Sequence, residues 1–469
     1  MDLRNTSQGL WKNMFFALIA EMDLVVKNLI NLFFITRFLG SEGAAAYEVV
    51  MPCVMIASAF VAMGYNGVQA VCAKDYGAKD PDSFERHKNA GYTWLLLVMV
   101  ALSLLFAAFS DSVLDLLGAG EGSQTLYTLS RDCYHMFLLC FVPQSIFSIA
   151  CCLLYLEERK RLLVVELLLY GCMLSGNLLV TVVAPSMIGY MAVNVVSVTI
   201  ADLYLIVYCF ILKRKDSLAA FTAFRVNPAD IREAFFTGLP DFMEYGFVAI
   251  FYLVENNYLL SRFSESMVAG VGVFEAIDNL PETICVGFSF LVTASLGTRV
   301  GRITVTSAGP DRSAAVKELD ETAGQLTKGA VIGSLLFGIL LVLLARPIVE
   351  AFLMDGDLEA KRTALWLTIS CASGFVFYML NSELVCYYKI VEAYAPAHIM
   401  FLAEALLFPL GFKLLMGELF GVIGFCMGGF VGEVFTFLLN LTLVWKFSGC
   451  FPRRVSDFRM DNYLNRLNR

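Results

Sequence analysis

Acidic side chains lie inside long apolar stretches of this sequence. Glu275, Asp278 and Glu282 occur at positions i, i+3 and i+7, which places them on one face of a helix. Glu244 and Glu255 are about three helical turns apart and share a face of the preceding stretch. Because a charged group in an apolar helix must face a cavity, a partner or an ion, these carboxylates predict a site that exchanges cations or protons. Glu255 and Glu275 lie toward the ends of their stretches, so contact with water is their alternative.

Further candidate residues lie in the other apolar stretches. Asp23 and Lys27 are spaced i, i+4, so they form either an internal ion pair or part of an ion site. Asp202 lies in the middle of its stretch and is a candidate for the first half of the chain. The last group consists of amides that either join helices by hydrogen bonds or contribute to the site: Asn31, Asn177 and Asn256.

The composition explains where such carboxylates must lie. Of the 469 residues, 58% are apolar and 16% are charged, and the mean hydropathy is +0.70. A bilayer requires roughly 20 apolar residues for each helical crossing, and segments of that kind recur along the chain. Strands of a β-barrel would alternate polar and apolar residues, which these segments do not. The sequence therefore predicts an all-α polytopic membrane protein without a sizeable soluble domain.

Twelve transmembrane spans are predicted, joined by short polar breaks. We predict them at residues 12–38, 46–72, 90–117, 130–156, 162–183, 187–212, 236–262, 267–298, 324–351, 363–388, 394–416 and 419–446.

The distribution of Lys and Arg predicts the orientation of these spans, because positively charged loops stay on the cytoplasmic side. With both termini inside, 26 of the 34 basic residues fall in inner segments, seven in outer turns and one, Lys27, inside a span. Lys413 belongs to the outer set in this assignment. We expect a multi-pass protein of the cell membrane, a bacterial inner membrane, with cytoplasmic termini, and we expect a monomer.

An internal repeat divides the spans into two sets. The first span ends in NLFFITRF at 31–38 and the seventh in NNYLLSRF at 256–263, and each is followed by a short turn, a span and a long basic inner loop. Spans six and twelve match as well, because each has a glycine near its start and a carboxylate roughly a dozen residues later. These residues are Gly189 and Asp202 in span six, and Gly421 and Glu433 in span twelve. Two pseudo-symmetric six-helix lobes are predicted: an N-lobe at 1–220 with an inner linker to about 235, a C-lobe at 236–450 and a cytoplasmic tail at 451–469.

Several function classes are excluded by the sequence. A net charge of −8 argues against nucleic acid binding. The sequence contains no GxxxxGK[ST] loop, HExxH or GxSxG motif, and its three histidines are scattered, so neither ATP hydrolysis nor a soluble-enzyme mechanism is predicted. Most of its 13 cysteines lie in apolar spans without metal-ligand spacing. We expect no cofactor and no metal centre, only H⁺ or Na⁺ as a coupling ion.

The motifs and their order resemble the multidrug and toxic compound extrusion (MATE) transporters of the MOP flippase superfamily. The resemblance rests on RFLGSEGAAAYEVVMP at 37–52, AKDYGAKDPDSFERHKNAG at 73–91, GLP at 238–240 and GFSFLVTASLGTRVG at 287–301. It covers essentially the whole chain. Membership would imply two six-helix lobes, a central cavity, alternating access, and efflux of cationic amphiphiles driven by H⁺ or Na⁺.

The chain departs from the family at the positions of the usual coupling site. The family's first-helix aspartate is Asn31 here, and its fifth-helix Asn-x-x-x-Asp is Asn177 followed by Thr181. In the seventh helix many members have a glutamate where this chain has Val248, with Glu244 nearer to the Gly-x-Pro motif. The eighth-helix glutamate of eukaryotic members aligns within one residue of Glu275. The coupling residues of the family therefore cannot all be transferred.

Two hypotheses within transport and one outside it follow. The first is a cation-coupled antiporter that exports organic cations, drugs or other amphiphilic molecules by alternating access, with H⁺ favoured over Na⁺ because of the crowded acids. The second is a flippase or exporter of a lipid-linked or other amphiphilic metabolite. The third is an intramembrane enzyme or receptor-like binder, against which stands the absence of a nucleophile or metal motif in the sequence.

Overall fold

A computed structural model describes the backbone of residues 6–448, apart from 79, 122, 158, 213–216, 226, 306–309, 354–356 and 391–393. The side chains of residues 6–25 and of scattered later positions, Glu244 among them, lie outside this description, as does the predicted tail at 451–469. The regular secondary structure of the described part is helical throughout. The predicted all-α membrane class is therefore confirmed.

The helices follow the predicted spans closely. In the first half they are α1 (Thr6–Ala78), α2 (Pro81–Ala108), α3 (Ser110–Leu116), α4 (Gln124–Glu157), α5 (Arg159–Val183) and α6 (Met187–Ile206). In the second half they are α7 (Pro228–Arg262), α8 (Glu265–Val305), α9 (Pro310–Phe352), α10 (Leu358–Ile390), α11 (Tyr394–Leu402) and α12 (Phe408–Ser448). Short π-helical turns at Val207–Leu212 and Ala403–Leu407 extend α6 and connect α11 to α12.

Two glycines break the longest helices. A straight helix of the length of α1, 73 residues, would measure about 110 Å, far more than the roughly 30 Å of bilayer hydrocarbon. Gly40 has φ 74° and ψ −164°, and Gly421 in α12 has φ 64° and ψ −149°. This backbone region is essentially restricted to glycine. Each long helix thus bends between two predicted spans, 12–38 and 46–72 in α1, and 394–416 and 419–446 around Gly421.

The number of membrane crossings stays a prediction. Among the described residues, eight helical segments are long and apolar enough to cross a membrane. Two of them are long enough to overlap two predicted spans each: Val26–Gln69 with 44 residues contains the second half of 12–38 and most of 46–72, and Pro396–Lys446 with 51 residues contains most of 394–416 and all of 419–446. Helices α7 and α8 are not among the eight candidates. Length and composition alone therefore support a polytopic protein without fixing the count at twelve.

The chain forms two compact units. The N-unit comprises residues 19–276 and 351–361, and the C-unit comprises 277–350 and the described residues from 362 onward, together with the start of α1. The boundary between the units lies within α8, not in the predicted linker at 213–235. A compact unit is defined by contacts and a lobe by repeated topology, so the six-plus-six lobes at 1–220 and 236–450 stay a prediction.

Helices α1 and α7 of the N-unit cross at two glycines. A Cβ atom on Gly67 would lie 2.1 Å from the carbonyl oxygen of Ala234, and one on Gly238 would lie 2.1 Å from that of Met63. The two backbones therefore touch directly, an arrangement that small residues permit between membrane helices. Gly238 opens the GLP motif at 238–240, so the structure gives a packing reason for that glycine.

The segment that precedes α7 is held against the N-terminal end of α2 and the C-terminal end of α4. The Tyr92 hydroxyl donates to the carbonyl oxygen of Ala219 at 2.9 Å, and the Asn89 side chain binds both the hydroxyl and the backbone N–H of Thr222. The Glu157 carboxylate accepts from the Ser217 hydroxyl at 2.6 Å. Helix α7 then begins at Pro228, eight residues before the predicted span, because Asn227 caps it by accepting from the Ala229 N–H.

The core of the C-unit lies between α8, α9, α10 and α12. Its buried side chains include Val292, Leu319, Tyr388 and Val444. A second, smaller cluster packs Phe375 and Met379 of α10 against Cys285 and Ala330. These contacts join helices that are far apart in sequence, as expected for a bundle stabilised by side-chain packing.

Asp357 anchors three elements of the N-unit at the start of α10. Its Oδ1 accepts from the backbone N–H groups of Glu359 and Ala360, at 3.1 and 3.0 Å, and its carboxylate also bonds to Ser266 and Ser41. Partial burial acts to raise the pKa of Asp357, but these hydrogen bonds outweigh it and lower the pKa below the ordinary 3.8.

We predict that Gly238→Ala lowers the stability of the folded protein by about 1–3 kcal/mol or more, because the new Cβ meets backbone that cannot turn away. Thermal unfolding of purified protein in detergent measures the effect. Gly246→Ala, on the same helix with nothing within 4 Å of its Cβ position, is the matched control. Equal melting temperatures for the two variants would contradict the close crossing.

Gly421→Ala should destabilise the fold by about 1–3 kcal/mol, the cost of placing a side chain in this backbone region. Gly411→Ala in the same helix should be neutral or stabilising, because alanine favours a helix by about 1 kcal/mol over glycine. The two sites are otherwise comparable, since neither Cβ would meet an atom within 4 Å. Unfolding measured in parallel tests the bend, and a stabilised Gly421→Ala variant would refute it.

The charge of Asp357 should stabilise the fold at neutral pH. The pKa of Asp357 is lower in the folded state than in the unfolded state. Its contribution to the free energy of unfolding is therefore fully present at a pH above the unfolded-state pKa, and it is lost as the pH falls through the folded-state pKa, which lies below 3.8. We expect Asp357→Asn to melt earlier than the wild type at pH 7, and the difference to shrink as the pH is lowered toward 3. A difference that is constant with pH would argue against this role.

Candidate functional site

A cavity of about 180 Å³ lies inside the N-unit. Its walls come from α1, α2, α4, α5 and α6, and Tyr245 of α7 completes them. Helix α4 packs against α2 and α6, and α6 packs against α5, which holds these walls together. The polar side chains that the wall presents include Lys27, Asn31, Tyr47, Gln144, Glu166 and Asn194.

Lys27 is buried in the cavity wall with 6% of its surface exposed. Its Nζ donates to Oε1 of Gln144 at 2.8 Å and lies 5.9 Å from the centre of the Phe147 ring. It also interacts electrostatically with Asp202. The sequence predicts an i, i+4 pair with Asp23, whose side chain lies outside the described residues, so that pair stays a prediction.

Three amide side chains surround the Tyr47 hydroxyl or lie near it in the wall. Tyr47 donates to Oδ1 of Asn28 and also bonds to the Asn31 side chain. The Oδ1 atoms of Asn31 and Asn194 are buried and have no hydrogen-bond partner among the described residues. A buried amide oxygen without a donor is costly, so these two groups are suited to a bound ligand or water.

The acidic residue of the cavity wall is Glu166 of α5, whose side chain is almost fully buried. Lys27 and Glu166 are the charged residues of the wall in the part of the chain that the structure describes. Glu255 and Glu275, predicted from their spacing, do not line this cavity. The charged groups that face the cavity therefore have opposite signs.

Asp202 and Asn177 are buried outside the cavity wall. The Oδ1 atom of Asp202 and both polar atoms of the Asn177 amide have no hydrogen-bond partner in the described part of the chain. Thr181, at the position where the family has its aspartate, bonds to the Asn177 carbonyl oxygen at 2.8 Å and to the Tyr190 hydroxyl at 3.0 Å. The hydroxyl of Thr181 is thus held between α5 and α6.

The acidic residues of α7 and the start of α8 have separate surroundings. Glu255 and Asn256 are fully buried, and Nδ2 of Asn256 donates to the Glu48 carbonyl oxygen at 3.0 Å. Glu275 accepts from the Tyr252 hydroxyl at 2.8 Å. Glu255 is thus away from water in this structure, and Glu275 is joined to α7.

In the C-unit, Asp278 belongs to a charged cluster with Glu433 and Lys413. Asp278 interacts electrostatically with both of them, and its Oδ1 accepts from the Cys371 thiol at 2.9 Å. Oε2 of Glu433 accepts from Nδ2 of Asn381 at 3.2 Å. This cluster, defined as Asp278, Glu433 and Lys413, is the C-unit acid cluster.

Lys413, which the sequence assigns to the outer set of basic residues, is buried. Only 5% of its surface is exposed, and its Nζ lies 5.6 Å from the centre of the Phe425 ring. Its side of the membrane stays a prediction. The segment around Lys413, at the start of α12, packs against a later part of the same helix that contains Gly428, Gly429 and Gly432. Because these glycines have no side chains, the two parts of α12 approach each other closely. The position of Lys413 near the end of a predicted span concealed this burial.

In the acidic triplet on α8, Glu275 accepts from Tyr252, Asp278 accepts from Cys371 and Glu282 is exposed. Asp278 and Glu282 both interact electrostatically with Tyr378 of α10. The helical spacing is as predicted, and a common site for the triplet stays a prediction. Glu244, whose side chain is outside the described residues, stays a prediction, as does the role of the other predicted residues.

Sequence reasoning did not select Glu166, Glu48 or Lys413. All three lie within predicted spans, so the rule that charged groups in apolar helices mark sites would have selected them. Their positions near span ends made contact with water the simpler interpretation. The structure also places no group of three or more His, Cys, Asp or Glu, among the residues it describes, where it could hold a metal ion.

Comparison with known proteins gives one family and one fold. The MatE family model matches residues 18–179, about a third of the chain. A search of curated proteins gives no match.

Solved structures match over nearly the whole chain. A multidrug resistance MATE family transporter of the MOP superfamily in an inward-facing conformation has a TM-score of 0.76 at 14% identity, covering 96% of this chain and 99% of that one. An outward-facing structure of such a transporter gives 0.69 at 15% identity, covering 97% and 96%. A MOP superfamily transporter from Pyrococcus furiosus, described as having a binding pocket of reverse polarity that suggests a different function, gives 0.70 at 15%, covering 97% and 96%.

The fold is therefore shared along nearly the whole chain, and the family model matches residues 18–179 within it. The helical fold, the family-model match at 18–179 and the sequence motifs agree, and together they make the chain similar to transporters of the MATE family in the MOP superfamily.

Proposed function

We propose that the chain is a secondary active antiporter that exports a small amphiphilic molecule in exchange for inward-moving protons by alternating access. The observation that carries this proposal is the C-unit acid cluster, in which two carboxyl groups within apolar helices interact with each other and one of them, Asp278, also interacts with Lys413. Asp278 on α8, Glu433 on α12 and Lys413 near the start of α12 come from distant parts of the sequence.

The charges of this cluster make it suited to proton exchange. When both carboxyl groups are ionised, the cluster carries one negative charge in excess of Lys413. An uncompensated charge in an apolar interior is strongly unfavourable, whereas uptake of one proton makes the cluster neutral. Release and uptake of that proton therefore change the energy of a buried region, which is the requirement for coupling to a second, cargo-dependent step.

The hydrogen bonds of the cluster favour a proton over Na⁺. Asp278 accepts from the Cys371 thiol and Glu433 accepts from the Asn381 amide, which accepts in turn from Asn440 at 3.3 Å. A sodium ion needs several oxygen ligands at once and would have to displace these donors. A proton needs a single lone pair and leaves the donors in place.

The cargo site in this proposal is the cavity of the N-unit. It is enclosed by helices whose proline residues, Pro52 in α1 and Pro143 in α4, remove backbone hydrogen bonds and favour bending. Pro281 does the same in α8, between Asp278 and Glu282. Bending at such positions is the movement that alternating access requires.

Location and assembly are proposed from the sequence. The excess of Lys and Arg in alternate loops supports cytoplasmic termini, and we place the protein in a bacterial inner membrane as a monomer. The structurally similar transporters are described as multidrug resistance proteins, and organic cations are therefore one class of cargo to test. No contact in the described part of the chain favours a lipid-linked precursor.

Transport by purified protein in proteoliposomes tests the coupling ion. Vesicles are loaded with ethidium or with a neutral amino acid, and the outside is then acidified. We expect a gradient-driven release of at least one probe, reduced about tenfold or more in Asp278→Asn and Glu433→Gln, because each variant removes an acid that the proton exchange requires. A sodium gradient at equal pH should drive no release.

Glu350→Gln is the control for loss of a carboxylate in the same unit. Glu350 is exposed and pairs with Arg346 one turn away, and such surface pairs contribute little. The proposal is wrong if sodium drives the release, or if both cluster variants retain proton-driven release at the wild-type rate.

A further inference from the structure

The cavity of the N-unit presents one positive and one negative side chain to its interior, Lys27 and Glu166. The formal charges of these two wall residues are opposite, and Asp202, outside the wall, also interacts with Lys27. A permanent organic cation would approach Lys27 at close range, and like charges repel most strongly where water is excluded. A ligand that carries both signs can instead match both side chains.

The hydrogen-bonding groups of the wall also require a polar ligand. The Oδ1 atoms of Asn31 and Asn194 are acceptors without a donor among the described residues. The Lys27 ammonium is a donor, and its three N–H groups make the bond to Gln144 compatible with a second bond to an anionic ligand. Donors and acceptors thus face the same space, which a lipophilic cation without N–H or O–H groups would leave unsatisfied.

The size of the cavity restricts the ligand further. At about 180 Å³ it is smaller than the roughly 300–1,000 Å³ of pockets that hold drug-sized molecules. The apolar part of the wall, which includes Met51, Phe137 and Phe141, leaves room for a short hydrocarbon side chain. These dimensions suit a molecule of the size of an amino acid.

We propose that the cargo is a small zwitterion of amino-acid size. Lys27 binds its anionic group, Glu166 faces its cationic group, and Asn31 and Asn194 accept from its N–H or O–H donors. The inference rests on the proposed function, because it names the cargo of the same transporter. Lys27 is then the residue that distinguishes zwitterions from simple cations.

Equilibrium binding to purified protein in detergent, without any ion gradient, tests this cargo class. Thermal stabilisation is measured with each of the twenty amino acids and with tetraphenylphosphonium. We expect at least one amino acid to stabilise the wild type and tetraphenylphosphonium not to do so. For that amino acid, the amide that lacks the carboxylate and the acid that lacks the ammonium should bind at least tenfold more weakly.

Lys27→Gln should weaken binding of that amino acid at least tenfold. Lys88→Gln is the matched control, because Lys88 is also a buried lysine of the N-unit, its Nζ also lies 5.9 Å from a phenylalanine ring centre, and it does not line the cavity. It pairs with Glu85 at 2.5 Å instead. We expect Lys88→Gln to bind the amino acid like the wild type.

The proposal is overturned if no amino acid stabilises the wild type, if tetraphenylphosphonium binds more tightly than every amino acid, or if both lysine variants lose binding equally. If Lys27→Gln does not fold, the comparison of the amino acid with its amide and its deaminated acid on the wild type decides the question. Binding without proton-driven release would refute only the coupling mechanism, and proton-driven release of ethidium without amino acid binding would refute only the zwitterion.

Discussion

A charge buried in an apolar helix bundle has to be compensated within a few ångströms, because the desolvation of an ion costs several kcal/mol. The two units of this protein meet that constraint in the same way. Lys27 interacts with Asp202 in the N-unit, and Lys413 interacts with Asp278 in the C-unit. In each unit a basic side chain interacts with an acid on another helix that is far away in sequence. The helices are held in their relative positions by glycine contacts and by capped ends, so that these partners meet.

The fold could be predicted largely from the sequence, because hydropathy and length determine which segments cross a bilayer. The predicted spans correspond to described helices, even where α1 and α12 run through two of them. The bends at Gly40 and Gly421 were not predicted, since a glycine between spans is equally compatible with an ordinary turn. The sequence repeat aligns Gly189 with Gly421. In the structure the two positions differ, because α6 begins after Ser186, whose backbone is extended, whereas α12 continues through Gly421.

The candidate site could be predicted only in part. Spacing on a helix shows which side chains share a face, but it does not show which neighbour that face meets. Glu275 meets Tyr252 of α7, for example, whereas Asp278 and Glu282 both interact with Tyr378 of α10. Asn31 and Asn177 are buried amides, and their role in a site stays a prediction, while the burial of Glu166 and Lys413 was not predicted. The opposite charges of the cavity wall, Lys27 and Glu166, come from different helices. No pattern within one stretch of sequence shows that two such residues line the same cavity.

The crossing of α1 and α7 restricts how the N-unit can move. At Gly67 and Gly238 no side chain lies between the two backbones, so there is no rotamer change that could let one helix slide past the other. Translation along either axis would drive a neighbouring residue with a Cβ into the opposite carbonyl group. Rotation about the point of contact keeps the glycines together. The close contact at these glycines therefore favours rotation of the two helices about the crossing over translation along either axis.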